Sequence, residues 1–363
     1  MAIGKSPDII IVGAGIFGLA SAYFAAKAGL QVLMFEAKRI GDGASGGIVG
    51  AMAPHMPDQW NEKKQFQYEA LVSAQAFWKE VDTLSGAPSG YGRIGRVIPL
   101  VTEKERALAE VRITHAAQNW NGFDWQVQNS TPHVDPDYAS FGLIIETLSA
   151  RIFPRHAVRS LASACRKLGV EIIEDTSVIS VAEGLVETSM GAVSSDRILV
   201  TAGYEGWVLS DHFLPAHNVT GVKGQAALLG VSLEGFPQIY ADNHYIIPHA
   251  SGQVAIGSTS EKIWDGDRET DEALDALLKR AEAICPQLSG APILERWAGI
   301  RPKAPKPDPM IGPIPGQSGL WIANGAFKIG FGIAHHVGAL VVDTMLGKAV
   351  HIPNRFSIDH HFG

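Results

Sequence analysis

Apolar residues recur along this chain in two rhythms: short unbroken runs, and longer stretches where they return every three or four positions. Residues 8–12 carry four in succession, Ile9, Ile10, Ile11 and Val12, and predict a strand covered on both faces. Residues 13–15 predict a turn, 16–28 a helix stopped at Gly29, and 32–35 a second strand. The stretch 41–47 holds too many glycines for regular structure. Over 61–84, Ala70, Leu71, Ala74, Phe77, Trp78, Val81 and Leu84 fall at helical spacing. A strand is predicted over 91–101. Thr102 and Glu105 then form a capping box for a helix to about Asn119. A helix over 158–168 ends at Gly169, and strands follow at 170–173, 178–181 and 197–201. Residues 219–257 read as strand-rich, with a hairpin signal at Ser251-Gly252. A helix over 270–284, a proline-studded loop over 302–315, a strand over 320–323 and a helix from about Gly330 to Leu346 complete the chain.

The α/β and β-rich segments interleave, which predicts two discontinuous domains. The length, 363 residues, suits about two domains, and 46% apolar residues suffice for a sizeable core. A net charge of −7 gives no basic footprint for nucleic acid or an anionic membrane. The two cysteines, Cys165 and Cys285, have no CxxC partner. That excludes a disulfide scaffold and a cysteine zinc site, and favours a reducing cytoplasm. His335-His336 and His360-His361 are adjacent pairs, so no metal site is expected. The uncharged run from Ile9 to Ala26 is long enough to span a membrane. Its glycines and β-branched start mark it as strand, turn and helix, and no integral membrane segment is expected.

Gly13-Ala14-Gly15-Ile16-Phe17-Gly18 is GxGxxG between a strand and a helix, and Glu36 ends the next strand. Gly13 permits the turn, Gly15 lets backbone approach a pyrophosphate, and Gly18 allows close helix packing. The helix start offers free N–H groups to phosphate. Glu36 can accept from both ribose hydroxyls. The fingerprint itself does not separate FAD from NAD.

The opening stretch through Glu36-Ala37, then Gly43-Ala44-Ser45-Gly46-Gly47, resembles the start of the FAD-dependent D-amino acid oxidase family. The likeness returns at Val200-Thr201-Ala202-Gly203, Lys223-Gly224-Gln225, Trp297-Ala298-Gly299-Ile300-Arg301-Pro302 and Gly325-Ala326-Phe327-Lys328-Ile329-Gly330. The branch nearest to it holds glycine oxidase and sarcosine oxidase. The resemblance implies an α/β fold, with a Rossmann-like FAD-binding domain of the glutathione-reductase type. That domain would comprise 1–84, 140–215 and 296–363. A smaller α+β substrate domain with an antiparallel sheet would comprise 85–139 and 216–295.

By the same resemblance Gly13, Gly15, Ile16, Phe17, Gly18, Glu36 and Ala37 hold the ADP half of FAD. Ala44, Ser45 and Gly47 run along the ribityl chain or flavin, and Val178 offers backbone to the adenine. Ala202 and Gly203 line the pyrophosphate region. Gly299, Arg301, Lys328 and Ile329 approach the flavin. Gly330, Phe331, Gly332 and Ile333 bring the last helix's N-terminus to its N1–C2=O edge, where reduction accumulates negative charge. No cysteine falls inside the segment where sarcosine oxidase bonds its flavin, so non-covalent FAD is expected.

Oxidising an amine requires an oriented C–H bond and a dry site, without a protein nucleophile or metal. Arg301 is the expected carboxylate anchor, because a guanidinium makes two parallel bonds to a carboxylate. Tyr245 falls where glycine oxidase has a substrate-side tyrosine, and Lys328 where sarcosine oxidase has a lysine. His55 and Met52 are expected on the flavin's substrate face, although a lone histidine is more often structural. Two departures touch substrate identity: sarcosine oxidase has an arginine near the position of Ala53, and glycine oxidase a glutamate near Pro57.

The expected activity is oxidative deamination of an amino acid or secondary amine, with O2 reduced to H2O2. The alternative is a dehydrogenase passing electrons to a quinone or other acceptor, acting alone, as a homo-oligomer or as a subunit of a larger complex.

Overall fold

The computed structural model describes residues 6–215 and 220–363. A six-stranded sheet runs in the order Met310–Pro313, Leu320–Asn324, Ile198–Val200, Ile9–Val12, Val32–Phe35, Glu171–Ile173. All neighbours are parallel except the first pair. The two central strands, Ile9–Val12 and Val32–Phe35, are buried at every position, which is why they read as unbroken apolar runs. The helix Ile16–Lys27 follows the first strand and packs on the last long helix, Gly330–Met345. Their contact needs Gly338, where a Cβ would stand 2.6 Å from the Ala20 carbonyl carbon.

The second sheet has eight strands, in the order Ile293–Lys303, Thr220–Leu229, Val254–Gly257, His244–Pro248, Gln238–Ala241, Arg96–Pro99, Leu143–Glu146, Trp125–Gln128. Only Gln238–Ala241 and Arg96–Pro99 pair in parallel. Side chains alternate between its faces. Val97, Ala227, Leu229, Ile239, Ile246, Val254 and Ile256 form one buried cluster with Leu274, Leu277 and Ala281 of the helix Glu272–Ile284. Ala226, Leu228, Ile247 and Ala255 cluster on the other face, against Ile48 and Phe153.

Several expected elements stand as predicted, including the complete Thr102–Glu105 capping box and the hairpin joining His244–Pro248 to Val254–Gly257. Others differ. The strand expected over 91–101 divides into Gly92–Arg93 and Arg96–Pro99 at Gly95, whose φ is +68°. The helix expected from Val158 starts at Pro154, a residue suited to a first helical turn. The loop over 302–315 contains the strand Met310–Pro313. Val219, the expected start of the strand-rich block, lies outside the described residues. Ile293–Lys303 is one continuous strand paired with Thr220–Leu229, so residue 296 lies inside it. Leu143–Glu146, which the expected segment 140–215 includes, also belongs to the eight-stranded sheet. No described helix is long and apolar enough to cross a membrane.

Candidate active site

Both sheets contribute walls to a cavity of about 430 Å³. At the nucleotide end, Gly13 turns the chain with φ +100°, and a Cβ there would lie 2.9 Å from Ala202 Cα and from the Thr201 carbonyl oxygen. Gly15 caps the first helix without a side-chain bond, and the helix's first turn holds no acidic residue. The Ile16 N–H donates to Ser45 Oγ at 3.0 Å, fastening the loop 41–47 over the helix start. At Gly18 a Cβ would lie 2.0 Å from the Gly13 carbonyl oxygen, so this glycine serves packing behind the wall and does not line it.

Glu36 stands at the end of its strand and faces the cavity. One carboxylate oxygen accepts the Ala14 N–H at 2.7 Å, the other the Lys38 N–H at 3.1 Å. Burial pushes its carboxyl above the usual carboxylate range, against the pull of those two bonds. Ala37, Ala44, Ser45, Gly47, Val178, Ala202 and Gly203 share the wall. The side-chain-free approach at Gly13 and Gly15, the open helix start and a half-buried carboxylate fit the tail of a dinucleotide such as FAD. The last helix also starts without a side-chain cap or acidic residue, and its Gly330 and Phe331 face the cavity.

The other end is built by one face of the eight-stranded sheet. Strand pairing sets Val222 opposite Arg301, Gly224 opposite Gly299, Ala226 opposite Trp297 and Gly257, and Gly257 opposite Tyr245. Tyr245, Gly257, Trp297 and Arg301 therefore share a face, and all four line the cavity. The three glycines leave space that side chains would fill. A Cβ at Gly299 would meet the Trp297 ring at 2.4 Å, and one at Gly257 would meet Val49 Cγ2 at 2.5 Å. The Arg301 guanidinium donates to Ser258 Oγ and to the Thr259 carbonyl oxygen. Burial lowers its pKa to about 10, which leaves it a cation at neutral pH. Lys328 lines the same cavity, and burial together with the Arg301 charge lowers its pKa.

The remaining expected residues stand elsewhere. His55 is off the cavity wall. Its backbone N–H donates to Gln67 Oε1 at 2.8 Å, and its Nδ1 bonds the same oxygen. Burial lowers its pKa, so the ring is neutral. Met52 points into the main core, whereas its strand neighbour Ala51 lines the cavity. Gly299, Ile329, Gly332 and Ile333 sit behind the wall, Ile333 fully buried in the core. Neither cysteine lines the cavity. Among the described residues no three His, Cys, Asp or Glu side chains gather as a metal site requires.

Sequence reasoning passed over Trp297, Gly257, Ser258 and Arg268, all of which line the cavity. Trp297 had a signal: it lies four residues before Arg301 on one strand, hence on the same face.

Residues 8–344 match the FAD dependent oxidoreductase family, DAO. The chain belongs to that family. Among its members, glycine oxidase of Pseudomonas aeruginosa is 28% identical, over 94% of this chain and 96% of that protein. Glycine oxidase of Bacillus subtilis is 27% identical over 94% of each. The crystal structure of glycine oxidase from Geobacillus kaustophilus superposes with a TM-score of 0.90 at 22% identity, over 99% of this chain and 100% of that one. Iminodiacetate oxidase from Chelativorans sp. BNC1 shares the fold at a TM-score of 0.84 and 23% identity, over 96% and 98%. DAO membership makes FAD the dinucleotide that the cavity's nucleotide end fits.

Proposed function

We propose that this protein oxidatively deaminates a small amino acid or N-substituted amino acid. Overall, amine, O2 and water would yield an oxo acid, ammonia or a primary amine, and H2O2. The carrying observation is that Arg301, Tyr245 and Lys328 face the same cavity as Glu36 and the glycine turn. Bound FAD supplies the hydride acceptor for the C–H bond next to nitrogen.

The protein's part is binding and placement. Arg301 holds the substrate carboxylate with two parallel donors, fixing distance and tilt together. Tyr245 donates its hydroxyl proton to the same carboxylate. Lys328 adds a second positive charge on the wall and favours anionic substrates. The Trp297 ring and the backbone at Gly257 wall the site with apolar surface, which excludes water from the reacting carbon. Among the described residues Arg301 makes no ion pair with a carboxylate; Glu261 opposes the burial-driven lowering of its pKa, and the Arg301 charge adds to the burial that lowers that of Lys328. The glycine oxidases among its relatives support the same substrate class.

Anaerobic mixing of the yellow protein with glycine, sarcosine, D-amino acids and proline, and with carboxylate-free amines such as methylamine and pyrrolidine, followed by admission of air, tests this reading. Flavin bleaching by at least one carboxylate-bearing amine, then peroxide formation in air, is the expected result. Bleaching only by amines that lack a carboxylate, or by none, overturns it.

A further inference from the structure

Arg301 is not held by backbone alone. Both of its terminal nitrogens donate to the Thr259 carbonyl oxygen at 3.3 Å, and one of them also donates to Ser258 Oγ. Both acceptors stand on a fixed stretch of chain. Gly257, the residue before Ser258, is paired with Ala226 on one side and Tyr245 on the other. Thr259, the residue after it, donates its N–H to the Gln225 carbonyl oxygen at 3.1 Å and accepts the Gln225 N–H on Oγ1 at 2.8 Å. The Thr259 hydroxyl in turn donates to Glu261 Oε1. Ser258 therefore sits between two residues that are each tied to a neighbouring strand, and Ser258 and Arg301 both line the cavity.

Chemistry fixes the direction of the Arg301–Ser258 bond. A guanidinium carries five N–H donors and no acceptor, whereas a serine hydroxyl carries one proton and two lone pairs. Ser258 Oγ must accept from Arg301, and its own proton must point elsewhere. Among the described residues no protein atom takes that proton, since the bond from Arg301 is the one hydrogen bond its side chain makes. The hydroxyl is thus left with a donor to spend at the cavity wall, in direct contact with the cation that draws anions there.

We infer that Ser258 is a further substrate-binding residue, whose hydroxyl accepts from Arg301 and donates to the carboxylate that Arg301 holds. This rests on the proposed carboxylate-bearing substrate. A carboxylate offers about four lone-pair positions. Arg301, with donors already committed to Ser258 and Thr259, does not fill them all. The donor that Arg301 spends on Ser258 is returned to the ligand by the serine proton. Holding Arg301 does not by itself require a hydroxyl at position 258, because the Thr259 carbonyl already receives both terminal nitrogens.

The test titrates the FAD-loaded protein with glycolate, a carboxylate with no amine to oxidise, and follows the perturbation of its flavin absorbance. Ser258→Ala is expected to weaken glycolate binding by roughly tenfold, the scale of one hydrogen bond to a charged group. Its flavin-to-protein absorbance ratio is expected to stay that of the unsubstituted protein, because Ser258 binds substrate and not cofactor. Arg301→Lys keeps the positive charge and gives up the planar fork. In that background Ser258→Ala is expected to weaken binding by a comparable factor again, because the hydroxyl contacts the carboxylate directly. Unchanged affinity in Ser258→Ala overturns the inference. So does a loss seen beside arginine but absent beside lysine, which would make Ser258 only a prop for the guanidinium. Loss of FAD from Ser258→Ala overturns it as well. Should the unsubstituted protein respond to no carboxylate at all, the functional reading and this inference fall together. If it responds and Ser258→Ala matches it, this inference alone falls.

Discussion

The Arg301 guanidinium lies across Gly224: a Cβ on that glycine would stand 1.9 Å from one terminal nitrogen of Arg301 and 2.3 Å from its guanidinium carbon. The atoms in the way are the far end of a flexible side chain, so Gly224→Ala moves the guanidinium and spares the backbone. The expected result is a folded protein that retains FAD but binds its carboxylate substrate more weakly. The loss should approach that of Arg301→Ala, roughly 10- to 100-fold in apparent KM for about 1.5–3 kcal/mol of charged hydrogen bonding. Steady-state kinetics beside the flavin-to-protein absorbance ratio check it. Unchanged KM in Arg301→Ala would remove Arg301 from the substrate site.

Glu36 makes its contribution at the other end of the cavity. Its two oxygens already accept the Ala14 and Lys38 N–H groups, and each oxygen has a further lone pair for a ribose hydroxyl. Glu36→Ala removes that acceptor and loosens the turn at Ala14. FAD affinity should fall by roughly 10- to 100-fold, again the scale of charge-assisted hydrogen bonds. Dialysis followed by fluorescence of the released flavin measures it. Full occupancy after exhaustive dialysis contradicts the ribose contact.

The nucleotide end was legible in the sequence because it is local. Strand, turn, helix and closing carboxylate span only residues 9–36, and each residue type there has one steric or electrostatic reason. The substrate end joins strands from residues 96–99, 238–257 and 293–303, and which side chains share a face depends on their register. A one-residue slip exchanges every side chain between faces. Arg301 and Tyr245 were reached by resemblance, while the contact between Ser258 and Arg301, 43 residues apart, left no mark in either local sequence. His55 and Met52 show the converse. Both lie close in sequence to wall residue Ala51, yet strand alternation sends Met52 into the core, and Gln67 holds His55 behind the wall.

A buried carboxylate ties the chain's end to its body. The Asp308 side chain is 0% exposed and meets Lys63 Nζ at 2.5 Å and an Arg355 terminal nitrogen at 3.1 Å. Burial alone would raise its pKa, but Lys63 and Arg355 outweigh that and hold it below the usual carboxylate range. Its stabilising effect is therefore complete above the unfolded carboxylate pKa and is lost as pH falls through the lowered native value. Asp308→Asn leaves two cations facing a neutral amide. A loss of about 1–3 kcal/mol is expected, below that of a fully buried pair because Arg355 is 44% exposed and water reaches its charge. Urea denaturation of the FAD-loaded protein at neutral pH measures it, and an unchanged midpoint would show that solvent relieves the stranded cations.

His335 makes a second, separate prediction about acid. It is 3% exposed, its ring stacks on Phe77 at 4.9 Å, and its Nε2 lies 3.0 Å from Ser73 Oγ. Burial, helped by the neighbouring His336, lowers its pKa to about 3. The unfolded chain binds a proton at an ordinary histidine pKa near 6.5. Between those two values the unfolded state takes up a proton that the native state refuses. Stability from this site is complete above about pH 6.5 and declines as pH falls toward 3, with a limiting slope of about 1.4 kcal/mol per pH unit. His249, lowered by burial to about 4, acts in the same sense. His335→Gln removes one titrating group and keeps a polar side chain beside Ser73. It should flatten the stability–pH curve between pH 6 and pH 4 by roughly that slope, whatever it does to stability at pH 7.5. Urea midpoints at half-unit steps across the window decide it: a variant curve parallel to the original would mean that His335 takes up its proton in the folded protein, and that the Phe77–Ser73 pocket opens to admit it.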